Sequence, residues 1–165
     1  VAQIARITTQ KTIAIFAAQG GIPDTVDALS AQQELMLPTF VGQQIIPQNA
    51  SPELSERSAS SKYPLVYVYC GKIVNQLREK FRRFSGTAQM MVEARVSLDR
   101  LEEMELHVQF YSDAITQVLD NNRGDWGDGV FYGGGYEVTF GGVKHGGRNF
   151  IQTAKVSFDL EISTD

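Results

Sequence analysis

The sequence predicts an α+β fold in which helices pack on one face of a mainly antiparallel sheet. Three stretches carry that expectation. Thr87 to Leu98 alternates, with Ala88, Met90, Val92, Ala94, Val96 and Leu98 on one side and Gln89, Glu93, Arg95 and Ser97 on the other. Phe150 to Ile162 alternates again, with Ala154, Val156, Phe158, Leu160 and Ile162 sharing a parity opposite Lys155, Asp159 and Glu161. A period of two places such residues on opposite faces of a strand. Between them, Leu101, Met104, Val108, Tyr111, Ile115 and Val118 recur at spacings of three and four, the signature of an amphipathic helix. Strands and helices segregated along the chain in this way favour α+β over alternating βαβ units.

The remaining elements follow in order. Gln3 to Ala18 reads as a helix whose Ile4, Ile7, Ala14, Ile15 and Ala18 share a side. Gly20, Gly21 and Pro23 end it, and a second short helix starts at Asp24 or Thr25. Pro38 to Pro64 is proline-studded and Ser-rich with no sustained period, which marks a long irregular arm, mobile alone and ordered against a neighbour. "LVYVYC", Leu65 to Cys70, has no polar face and predicts a strand buried on both sides, with Cys70 packing as a small hydrophobe. Asp99 is placed to cap the long helix, with Glu102 and Glu103 near the positive end of its dipole. "DNNRGDWGDG" ends that helix, Val130 to Phe140 predicts a strand, and "GGVKHGGRN" predicts the connection to the last one.

Composition bounds the function. The chain has 165 residues, enough for one ordinary domain, residues 1–165, with the arm at about 38–64. Its net charge of −4 excludes a protein whose whole surface grips nucleic acid. Cys70 is the only cysteine, so no disulfide or thiolate cluster forms within one chain, which fits assembly in a reducing cytosol. The apolar run "TIAIFAA" is too short for a signal peptide core and follows two charges, so export is not expected, and no run approaches a membrane span.

The stretch "RGDWGDGVFYGGGYEV" from Arg123 invites several chemical readings. A phosphate loop would open a helix in the GxGxxG register, whereas this segment leads into a strand. Asp125, Asp128 and Glu137 form the basis of an alternative reading, a small soluble enzyme with a carboxylate site, although the oxygen-ligand spacing of a calcium loop is missing. The aromatics Trp126, Phe131, Tyr132 and Tyr136 on a glycine-shaped projection suit a protein–protein contact better than catalysis. Phe40, Ile45 and Ile46 of the arm join them as expected contact residues. His107 and His145 with a lone cysteine make no recognisable metal or nucleophile motif, so no cofactor, metal or catalytic residue is expected. Arg78, Lys80, Arg82 and Arg83, interleaved with Phe81 and Phe84, form the one concentrated basic patch. It reads as a solvated strand or hairpin pairing with Glu79, Glu93 or a neighbour's carboxylates, or else as a contact for nucleic-acid phosphate or an acidic surface.

Three longer stretches resemble the tail-terminator and tail-to-head joining (neck) proteins of tailed bacteriophages. "YPLVYVYC" resembles their early strand, and "RRFSGTAQMMVEARVSLDRLEEMELHVQFYSDAITQVL" their strand followed by a helix. "GYEVTFGGVKHGGRNFIQTAKVSFDLEIST" resembles their closing hairpin. The resemblance implies a non-enzymatic virion subunit, assembled in the host cytoplasm, that closes into a homomeric ring, a hexamer, at the top of the tail. Its implied partners are copies of itself, the tail tube protein and head-side connector proteins, with incidental contact to packaged DNA and none to membrane. Other minor tail or head-completion proteins share the same features.

Overall fold

Strand β8 (Asn149–Thr164) organises the molecule, because it is long enough for several partners to pair along it. The computed structural model describes residues 3–51, 63–146 and 149–165. Along one side of β8 runs β3 (Phe84–Leu98), in unbroken antiparallel register from Phe84 opposite Thr164 to Leu98 opposite Phe150. Along its other side lie β5 (Val130–Tyr132), β6 (Glu137–Phe140) and β7 (Lys144–Gly146) in turn, with β4 (Gly124–Gly127) outside β5. Beyond β3 come β2 (Leu65–Asn75) and the two-residue β1 (Ile45–Ile46), giving an eight-stranded sheet. All pairings are antiparallel except β1 with β2, so the sheet is mixed at one edge.

Three α-helices among the described residues accompany it: α1 (Ile4–Ala17), α2 (Ile22–Gln33) and α3 (Met104–Asn121). Helix α1 lies against β2 and β3, α3 against β3 and β8, and α2 packs on both helices. The even-numbered side chains of β3 and β8, from Ala88 to Val96 and from Ala154 to Ile162, are buried beneath them. The fold is therefore α+β with helices on one face, as the two alternating stretches and the helical period require. Burial of each large apolar side chain there contributes about 1.5–3 kcal/mol, which offsets the entropy of ordering the chain.

Several boundaries differ from the sequence reading, each for a physical reason. The buried edge of α1 is Ile4, Thr8, Thr12 and Phe16, whereas Ala14 and Ala18 are exposed. Thr8 and Thr12 donate their hydroxyls to the carbonyls of Ile4 and Thr8, both at 2.8 Å, so polar side chains enter the core already satisfied. Helix α2 starts at Ile22 because Pro23 sits in its first turn, where a missing N–H costs nothing. Strand β2 continues past Cys70 to Asn75 through a bulge at Gly71. Helix α3 begins at Met104 after a single 3-10 turn, Leu101–Glu103, whose tighter rotation leaves Leu101 exposed and Asp99 outside the cap. The strand expected over Val130 to Phe140 is two strands, because the chain loops out at Gly133 to Gly135, with Gly134 at φ +103°. Gly86 marks the tightest approach: a Cβ there would lie 1.9 Å from the Val74 carbonyl oxygen.

Candidate interaction surfaces

Trp126 and Tyr132, expected to meet a partner, instead close the end of the chain's own core. Tyr132 is fully buried, and its ring centroid lies 5.5 Å from Trp126 and 5.3 Å from Phe158. Tilted and edge-on pairs at such distances are favourable beyond their buried area. The half-buried Trp126 donates its indole N–H to the Asn122 carbonyl at 2.7 Å. Lys11 of α1 donates to the Trp126 carbonyl at 2.9 Å and pairs with Asp128 at 2.8 Å. These bonds hold the loop on α1, so its aromatics serve the fold first. Burial pushes the Tyr132 phenol up to about 12.

The arm is corrected in the same sense. Phe40 is 2% exposed and packs 6.3 Å from Tyr111. Ile45 is buried and Ile46 half-buried, where β1 pairs with Val66 and Tyr67. Gln44 donates to the Pro64 carbonyl at 2.7 Å, tying the two ends of the segment together. Over 38–51 the irregular arm expected to await a neighbour is thus chain that fills the core, because Phe40, Ile45 and Ile46 have a sheet edge and a helix within reach. The Ser-rich part of the expected arm, residues 52–62, and Arg148 of the last connection lie outside the described residues.

Phe131 and Tyr136 do face solvent, at 45% and 40% exposure. Phe131 pairs with Glu161 and so points to the face of the sheet away from the helices. On that face a groove of about 610 Å³ is lined by Thr87, Gln89, Tyr136, Glu137, Asp159 and Glu161, together with Arg78. Asp125 and Asp128 do not line it. Asp125 accepts from the Gly127 N–H at 2.8 Å, the bond of a tight turn, and Asp128 is taken by Lys11. The three carboxylates of the enzyme alternative are therefore not gathered at one place.

The basic residues lie on the connection between β2 and β3. Asn75 organises it, donating to the Arg83 carbonyl and accepting from the N–H groups of Leu77 and Ser85. The tip projects fully: Phe81 is 100% exposed and Leu77 62%, and both have positive φ, at 70° and 49°. Arg82 is engaged by Glu79 and Asp165. Lys80 and Arg83 make no ion pair among the described residues. Glu93, offered in the sequence reading as a partner for this patch, is occupied elsewhere.

That place is a cluster absent from the sequence reading, on the same face of the sheet but buried, with Arg95 2% and Glu93 7% exposed. Glu93 accepts from Arg95 at 2.6 Å, from Tyr69 at 3.1 Å and from Lys155, its cross-strand neighbour, at 3.2 Å. Arg95 stacks 4.0 Å above the Tyr67 ring and reaches the Ala50 carbonyl, so the clasp binds residues 49–51 to the sheet. Burial alone would raise the Glu93 carboxyl, but hydrogen bonds and attraction from Arg95 and Lys155 outweigh it and hold it below the usual carboxylate range. Burial, then Glu93, pushes the Tyr69 phenol up to about 12. The opposed charges of Glu93 and Lys155 on the polar parities of two alternating strands were a usable signal, once their register was known.

No group of His, Cys, Asp and Glu that could hold a metal occurs among the described residues. His107 on α3 is lowered by burial, which outweighs the attraction of Glu103, and the Cys70 thiol is raised by burial beside α1. Comparison with models of known protein families finds no match to this chain, and comparison with curated proteins finds none either.

Proposed function

We propose that this chain is a structural subunit of a tailed-phage particle, a tail-terminator or neck protein whose copies close into a ring that ends the tail tube and joins it to the head. The observation that carries the reading is the uncovered sheet. Among the described residues, the outer edge of β2 beyond Tyr67 has no strand beside it, and no helix lies over the face bearing Thr87, Gln89 and Met91. An unpaired edge offers a row of backbone donors and acceptors to another chain. Assembly of copies about a rotation axis satisfies such edges without opening a filament. Contacts to the tail tube and to head-side proteins use the faces above and below the ring, and the work done is adhesion without bond chemistry.

The mass in solution tests this. Light scattering and electron microscopy are expected to show a closed species, six times the 18.3 kDa chain mass for a hexamer. A protein that stays monomeric at high concentration and is missing from virions would overturn the reading.

A further inference from the structure

The uncovered face and the projecting hairpin carry opposite charge and matching apolar groups. The groove presents Glu137, Asp159 and Glu161 against a single guanidinium, Arg78. None of the three carboxylates has an ion-pair partner among the described residues. Phe131 and Tyr136 stand beside them, exposed. The hairpin tip presents the complement: Lys80 and Arg83 without ion pairs, and between them Phe81 wholly in water.

A fully exposed phenylalanine at positive φ gains nothing for its own chain. Non-glycine residues in that conformation cost of order 1 kcal/mol and persist where something else holds or uses them. The charge balance makes a nucleic-acid partner the weaker choice, because the groove carboxylates beside Arg78 repel phosphate. A second copy of this chain supplies both halves of the match.

Resting on the ring reading above, we infer that the Lys80–Arg83 tip of one subunit docks into the acidic groove of the next, with Phe81 against Phe131 and Tyr136 and with Lys80 and Arg83 facing Glu137, Asp159 and Glu161. The contact joins unlike surfaces, so it propagates around an axis and closes when the rotation allows. Charge pairs at the rim of such a contact set register and partner choice, while the aromatic anchor supplies most of the affinity.

The experiment is a charge swap on the full-length chain, read by light scattering, with melting temperature as the control for folding. Lys80→Glu with Arg83→Glu, or Asp159→Lys with Glu161→Lys, is expected to weaken self-association at least about tenfold. All four residues are exposed, so the melting temperature stays near wild type. The four substitutions together restore association, and Phe81→Ser weakens it without a charge change. Wild-type assembly with both pairs of substitutions inert overturns the docking and leaves the ring reading standing. A wild-type monomer overturns both. A two-subunit species that falls apart on charge reversal keeps the contact and overturns the ring. Steep salt-dependent binding of double-stranded DNA, lost in Lys80→Glu/Arg83→Glu while association is unchanged, assigns the tip to nucleic acid and overturns the inference.

Discussion

Replacing Glu93 by glutamine removes one charge from the sheet while preserving shape, and the structure sets the size of the effect. The bond to Arg95 is charge-assisted, 2.6 Å long, and its guanidinium is 2% exposed. Bonds to charged groups contribute about 1.5–3 kcal/mol when buried. The Lys155 arm is 41% exposed, so solvent screens it to about 0–1 kcal/mol. The expected loss is about 1.5–4 kcal/mol at neutral pH, which lowers the melting temperature of a chain this size by roughly 3–16 °C. The pH dependence has a definite sign. The folded Glu93 lies below its ordinary value, so its stabilisation is complete above the unfolded pKa, near about 4.3, and fades as pH falls through the folded one. Thermal melts of both proteins from neutral to acid pH should therefore converge, since residue 93 is uncharged in each at the acid end. Equal melting temperatures at neutral pH, or a gap that persists undiminished into acid, would refute the account.

Two further substitutions probe the core. Tyr111 has a buried hydroxyl with no hydrogen-bond partner among the described residues, and burial pushes its phenol up to about 12. Tyr111→Phe is expected to be neutral or to stabilise by up to about 1 kcal/mol in urea unfolding, and a loss larger than that would reveal a bond to the hydroxyl. Gly86→Ala drives a methyl onto the Val74 carbonyl and is expected to cost about 1–3 kcal/mol or more. Wild-type stability in the same urea titration would mean that β2 and β3 separate there without strain.

The legibility of this chain follows the range of the interactions involved. Val92 and Val156 announce their strands because alternation is local, and Val108 and Ile115 announce their helix for the same reason. Thr8 and Thr12 hid in plain view, since their polarity is cancelled by carbonyls a turn away. Phe131 and Tyr136 kept the exposure expected of contact residues, whereas Trp126, Tyr132, Phe40 and Ile45 were drawn into the core. An aromatic in a glycine-rich segment has no periodic neighbours to declare which way it faces.

By itself, then, the sequence determined the α+β class, the two long alternating strands and the amphipathic helix between them. Each depends on neighbours within a few residues, where covalent geometry dictates direction. Only the tertiary structure decided that β5, β6 and β7 share one edge of β8, that Glu93 gathers Arg95, Lys155 and Tyr69, and that Glu137 joins Asp159 and Glu161 in one groove. Those groupings depend on strand order and register, which are set by how distant segments bury their apolar faces together and leave no trace in local spacing.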